Sequence, residues 1–314
     1  MMSDAHRESQ TPAPEVIRPS SWLELLDALF AGSWNPSLGR FRSPYAFRGQ
    51  SMATEDLSSG LLRLAAGRTN VAGLELHLLR NFRKYAYGQA ATDSIWHWLT
   101  LGQHRGLPTR LLDWTYSPFV ALHFATANLE RMNVDGSVWA INFVAANRFL
   151  PARLKRILDA EGSDTTTVEM LSVFGSLREF DRLARSPFVV FMEPPSLDPR
   201  IVNQFALFSL MSRPDATMDG WLAAHRSLAR RIVVPAELKW EIRDKLDQAN
   251  INERVLFPGL DGLSRWLARY YWAKPSGRSQ ARNAAGQEGG RGTAAGRRGR
   301  QQELTLARQE GSKN

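Results

Sequence analysis

Gln103, His104, Arg105, Arg110 and Asp113 lie within eleven residues, in a stretch that also holds Trp98, Gly106, Pro108 and Trp114. So many polar side chains do not suit a core element, but they suit a site. A guanidinium offers a planar fork for phosphate or carboxylate and stays charged at any working pH. The His104 imidazole can move a proton or, at a helix C-terminus, carry a positive charge toward an anionic ligand. Asp113 can take part in that chemistry. Alternatively it buttresses Arg110 or His104, or caps the next helix together with Thr115. Trp98 and Trp114 can stack on a base or a nicotinamide ring, or they can simply belong to the core.

Two further segments carry the same kind of signal. Tyr45-Ala46-Phe47-Arg48-Gly49-Gln50 reads as a strand that delivers Arg48 and Gly49 at its end. Arg48 is then a phosphate anchor or a structural ion-pair partner, and Gly49 lets a ligand approach the backbone. Arg200-Ile201-Val202-Asn203-Gln204 leads into the apolar run Phe205 to Met211, which puts Gln204 at the mouth of a sheet. Glutamine can orient a ribose or an amide but cannot act as a base. Familiar phosphate-loop, dinucleotide, zinc-protease and nucleophile-elbow motifs are missing. With no Cys and six scattered His, no metal is expected.

Several elements must position these residues. Ser21-Trp22-Leu23-Glu24 reads as a capping box that opens a short helix through Phe30. Helices are expected over Thr54–Ala66 and Leu74–Tyr87, the second with Leu74, Leu78, Phe82 and Tyr85 at helical spacing. Ser94 caps a helix that stops near Gly106. Leu107–Leu112 is extended, and Ser117-Pro118 starts a helix to about Leu129. From Asp135-Gly136 onward the pattern turns to strands: Ser137–Phe143, Pro187–Met192, Phe205–Met211 and Arg231–Val234. Pro235–Asn250 and Gly259–Trp272 read as the last helices. Arg148–Arg185 is less patterned and reads as an insertion or a mobile lid. The sum is an α+β fold, a helical N-terminal half packed on a mostly antiparallel sheet.

Composition bounds the rest. The hydrophobic fraction of 43%, with ten Trp and fifteen Phe, is ample for a packed core. No apolar run approaches a membrane span, and residues 1–20 lack the apolar stretch of a signal peptide, so the expectation is a cytoplasmic protein that uses no membrane. Residues 1–20 read as disordered, 21–273 as one globular domain and 274–314 as a disordered basic tail. That tail holds nine Lys/Arg against three Glu, or +6 of the net charge of +9. It can touch nucleic acid nonspecifically, while the body, near neutral, has no broad nucleic-acid face.

The segments around Arg48, from Trp98 to Thr115, from Arg200 to Phe208 and from Asn252 to Leu263 occur in the order seen in the FRG domain, named for its Phe/Tyr-Arg-Gly motif. The chain resembles that family over about residues 45–267. The layout is also similar to that of ADP-ribosyltransferases, where an Arg and a Gly of the first motif hold NAD and a later Glu completes the site. That likeness implies cofactor contacts from Arg48 and Gly49; the residues themselves add Gln50, Gln103, Arg110 and Trp114 as expected cofactor contacts and His104, Asp113 and Gln204 as the expected chemical groups. Gln204 stands where the Glu is expected, a departure that leaves Asp113 or Glu193 to substitute. Two readings follow: an NAD-using transferase-like enzyme or intracellular effector, and a module that binds a nucleotide, a small phosphate-bearing ligand or nucleic acid without turnover. A purely structural or partner-binding role in bacterial conflict is a third.

Overall fold

The computed structural model describes residues 14–90 and 92–272. Ten strands occur in chain order: β1 Glu15–Ile17, β2 Trp34–Asn35, β3 Arg40–Phe41, β4 Tyr45–Gln50, β5 Leu111–Thr115, β6 Gly136–Asn142, β7 Thr166–Thr167, β8 Val189–Glu193, β9 Ala206–Met211 and β10 Ala229–Val234. Eight of them form one sheet in the order β1-β10-β6-β4-β5-β9-β8-β7, while β2 and β3 make a separate hairpin. Only the two outermost pairings, β1 with β10 and β7 with β8, are parallel. The class is therefore α+β with a mostly antiparallel sheet, and among the described residues the helices are spread from Trp22 to Tyr270 rather than gathered in the first half.

Helix starts follow local chemistry. Ser21, Ser94 and Ser117 each accept a backbone N–H of the first turn, which satisfies a donor the helix itself cannot pair. Pro118 sits in the first turn of its helix, where it has no N–H to lose. Elsewhere the expectations shift. Only Gly60–Leu64 of the Thr54–Ala66 segment is helical. Glu15–Ile17 is an edge strand, so the expected disorder does not extend through residue 20. Arg148–Arg185 is built into the packed body rather than standing off it as a lid. Leu154, Leu158, Val168, Leu171, Leu177 and Phe180 from its helices, with Phe174 between two of them, are buried in one apolar cluster. Residues 274–314 lie outside the described residues.

The sheet's central pairing is its weakest. β4 pairs with β6 at six consecutive positions and β5 with β9 at five, but β4 and β5 share only Phe47 with Thr115. Beyond that pair the two strands diverge, so the sheet consists of two half-sheets joined by one ladder position. Side-chain alternation follows the same division. On one face, Ala46, Leu112, Trp114, Trp139 and Leu207 belong to a single core that spans both halves. On the other face there are two cores. Phe47, Val138, Ala140 and Ile232 pack with the helices Trp22–Phe30, Pro118–Thr126 and Lys239–Gln248. Leu111, Val190, Phe208 and Leu210 pack with the helix Ile95–His104 and the 152–181 helices. Each fully buried Leu or Phe contributes about 1.5–3 kcal/mol, so the divided cores and the core shared by both halves hold the sheet together more than the single ladder position does. Compact packing extends to Trp266.

Candidate functional site

The seam opens into a cavity of about 250 Å³ between the two divided cores. Its lining comes from β4 (Phe47, Arg48, Gly49), β5 (Asp113, Trp114, Thr115), the end of the Ile95–His104 helix (Gln103, His104) and the Pro199–Asn203 segment with Gln204. Arg48, Gly49, Gln103, His104, Asp113, Trp114 and Gln204 thus converge on one place. Arg110 and Gln50 do not line it.

Arg48 crosses the seam. Its Nη1 donates to the Asp113 backbone carbonyl at 2.6 Å, on the strand with which β4 no longer pairs. Its Nε is buried and has no hydrogen-bond partner among the described residues. Burial is the main influence on this guanidinium and pushes it below its ordinary range, with the Asp113 carboxylate opposing. A partly desolvated guanidinium with an unused donor is a ready partner for an anion. Arg48 and Gly49 lie inside β4 rather than at its end, because the strand continues through Gln50 on its β6 side. Gly49 answers mainly to packing. A Cβ there would lie 1.8 Å from the Ala121 carbonyl oxygen and 2.7 Å from the Ala125 amide nitrogen, so its absence lets the Pro118–Thr126 helix lie on the strand.

On the opposite wall, Gln103 Nε2 donates to both Asp113 carboxylate oxygens, at 3.0 and 2.9 Å. Its Oε1 accepts from Thr109 Oγ1 at 2.6 Å. Gln103 therefore faces protein partners with both ends of its amide. Asp113 neither caps a helix nor pairs with Arg110; Ser117 is the cap, and Thr115 donates to the Gln204 carbonyl. Its carboxylate is exposed at the cavity.

His104 makes no capping bond. Its Nε2 lies 2.6 Å from Asp198 Oδ2, while Asp198 Oδ1 accepts the amides of Arg200 and Ile201 at the start of the Pro199–Asn203 helix. Burial raises Asp198, but the His104 contact and those backbone amides outweigh it, and the carboxyl ends below its ordinary value. One carboxylate thus fixes both the imidazole and the helix that forms a wall of the cavity. Arg200 on that helix also lines the cavity, with its guanidinium 5.1 Å from the centre of the Phe257 ring. Sequence reasoning missed Asp198 and assigned Arg200 no role. The signal was present in Asp198-Pro199, an N-cap before a first-turn proline.

Three expected roles are corrected. Arg110 is 3% exposed and is enclosed by carboxylates: its Nε donates to Glu75 Oε1 at 2.7 Å, its Nη2 to Glu75 Oε2, and its Nη1 to Asp181 Oδ1 at 2.6 Å. No ligand is needed to satisfy it. Gln50 is buried, donating to the Asp56 carbonyl and accepting from Trp139 Nε1. Trp114 lies in the core, its indole N–H on Ser209 and its ring edge-on to Phe191, so it is no stacking platform. Trp98 is likewise buried, donating to Asp93. Gln204 reaches the cavity, but its amide donates to the Leu256 carbonyl at 2.8 Å. Glu193 lies elsewhere, accepting from Tyr116 and Thr165. Phe205, next to Gln204, has a φ of +46°, a conformation costly for a bulky residue and held by the Tyr116 amide on its carbonyl.

No group of three or more His, Asp or Glu able to hold a metal occurs among the described residues, and no described helix is long and apolar enough to cross a membrane. No curated protein and no solved structure matches the chain. Among family models, the FRG domain matches residues 43–133. That span begins two residues before β4 and includes Arg48, Gly49, Gln103, His104 and Asp113; Arg200 and Gln204 line the cavity from outside it, and Asp198 holds His104. The part of the chain that carries both strands of the seam is thus the part that is similar to the FRG domain.

Proposed function

We propose that the seam cavity binds a nucleotide through its phosphates and ribose, with NAD as the ligand and ADP-ribosyl transfer as the reaction. The observation that carries this reading is Arg48, which lines the cavity and spends only Nη1 on the protein, on the Asp113 carbonyl across the seam. Arg200 supplies a second guanidinium at the cavity, and Asp113 supplies an exposed carboxylate. Two cations and one carboxylate fit a ligand with anionic phosphates and a hydroxyl-bearing sugar. At about 250 Å³ the cavity is smaller than sites that enclose a drug-sized molecule, so it holds one end of a dinucleotide and leaves the remainder at the mouth.

In that reaction the bond from ribose C1′ to nicotinamide breaks, and its electron pair leaves with nicotinamide. An acceptor N–H or O–H bonds to C1′ and gives up its proton. Asp113 stabilises the positive charge developing on the ribose and takes that proton. His104, oriented by Asp198, holds the opposite wall. The test is a thermal-shift titration of the full chain with NAD, ATP, GTP and short RNA, repeated on Arg48→Ala, with nicotinamide release measured alongside. A saturable NAD shift that is lost in the variant supports the reading; an NAD shift unchanged in Arg48→Ala overturns it.

One observation favours a second reading, nucleotide binding without turnover. Gln204 brings no carboxylate, and its amide is engaged by Leu256. NAD binding with no nicotinamide release, before and after Asp113→Asn, selects this alternative. A shift seen only with RNA and removed by salt would instead assign nucleic-acid contact to the basic residues 274–314.

A further inference from the structure

The hairpin of β2 and β3 serves neither the core nor the seam. Its large apolar side chains Trp34, Leu38 and Phe41 are 53%, 58% and 61% exposed, and among the described residues none of them belongs to an apolar cluster. A two-stranded hairpin has little stability of its own, so three such groups left in water are a cost that folding does not explain. The hairpin is nonetheless firmly built. Asn35 Oδ1 accepts the amides of Ser37 and Leu38 across the turn, Gly39 supplies a left-handed φ of +59°, and the Arg42 amide donates to the Ser33 carbonyl at 2.7 Å.

Trp34 stands opposite Phe41, with ring centroids 5.2 Å apart and planes at 69°. In such an edge-to-face pair, the ring that presents its edge keeps both of its own faces clear of the other. Arg40 and Arg42 leave from the opposite face, about 7 Å apart along the chain. Neither pairs with a carboxylate among the described residues, and no acidic residue occurs between Asp27 and Glu55. β3 pairs only with β2, so its outer edge is free.

We infer that this hairpin is a platform for single-stranded nucleic acid, with Trp34 and Phe41 stacking on unpaired bases and Arg40 and Arg42 held to neighbouring phosphates. A strand laid along the free edge of β3 meets rings on one side and guanidiniums on the other, spaced close to one nucleotide step. A duplex gains nothing from the rings, because its bases already stack on one another. A lipid surface fits less well: with the rings inserted, the arginines of the opposite face point away from anionic headgroups. The assignment does not depend on the seam site.

The experiment measures affinity of the full chain for a fluorescent oligouridylate of about twelve nucleotides and for an RNA duplex of the same length, across a salt series. Trp34→Ala and Phe41→Ala should each weaken oligouridylate binding about tenfold, leave the salt slope and duplex binding unchanged, and leave the thermal midpoint unchanged; Trp34→Phe, which keeps a ring, should retain most of the affinity. Arg40→Ala with Arg42→Ala should make the salt slope shallower by about 1.4. Oligouridylate binding within about twofold of wild type in both ring variants overturns the platform and leaves only electrostatic contact by the basic residues 274–314. Equal losses for oligouridylate and duplex overturn the stacking role. Absence of oligouridylate binding by wild type, with Trp34-dependent binding to phosphatidylcholine–phosphatidylserine vesicles, overturns the assignment in favour of a lipid surface.

Discussion

Arg48 and Arg110 invite comparison. Both lie within the matched FRG span, Arg48 inside β4 and Arg110 immediately before β5, and both were read as ligand contacts. Arg110 is saturated: Glu75, only 2% exposed, and Asp181 take its guanidinium from two sides, and the Met211 carbonyl adds a longer contact. Arg48 has one firm acceptor, a backbone carbonyl across a gap, and a buried N–H left over. The residue type is the same; the number of acceptors supplied by the rest of the chain decides which arginine holds the fold together and which is available to a ligand.

The largest effect expected from that difference is at Arg110. Arg110→Met leaves Glu75 buried without its cation and should cost about 3–5 kcal/mol, seen as a lower midpoint in urea unfolding. A loss under about 1 kcal/mol would erase the distinction between the two arginines. Next comes the packing beneath Arg48. Gly49→Ala pushes a methyl group into the Pro118–Thr126 helix backbone and should destabilise by about 1–3 kcal/mol in the same assay. Arg48→Ala itself should change stability by no more than about 1 kcal/mol while abolishing the NAD-induced thermal shift. Should it unfold as readily as Arg110→Met, Arg48 is a structural rivet and the comparison collapses.

The smallest effects are in pH dependence, and they have opposite signs in the two regions. Burial, against the pull of Arg110, leaves Asp181 above its ordinary 3.8. Its contribution to stability is full below that value and fades as pH rises through the folded pKa. Asp198 is held below 3.8, so its contribution is present above 3.8 and fades as pH falls through the lower folded value. Acid unfolding curves of Asp181→Asn and Asp198→Asn should therefore deviate from wild type in opposite directions across pH 3–5. Deviations of the same sign would show that one of the two carboxyls is misassigned.

What could be read in the sequence was local. Ser21, Ser94 and Ser117 announce helix starts because a cap and the amides it satisfies are neighbours in the chain. The α+β class followed from strand-length apolar runs such as β9 and β10. Arg110 misled because its partners are 35 and 71 residues away, and a saturated arginine and an available one look alike in one dimension. Trp114 misled for a similar reason: Ser209 and Phe191, which take its ring into the core, come from β9 and β8, far along the chain. Leu154 to Phe180 carried a three- and four-residue apolar spacing that was legible but broken into helices too short to stand out. The seam could not be foreseen, since divergence of β4 from β5 depends on which cores each strand joins.

That seam has a further consequence. Where two strands part inside a sheet, their facing backbones become edges, and an edge is a template to which any extended peptide can anneal. Proteins guard outer edges with charge. Here the guard is Arg48, a cation laid across the Asp113 carbonyl, which leaves space for a small molecule but obstructs a strand. The protein thereby keeps an opening in the middle of its largest sheet without offering its neighbours a place to aggregate.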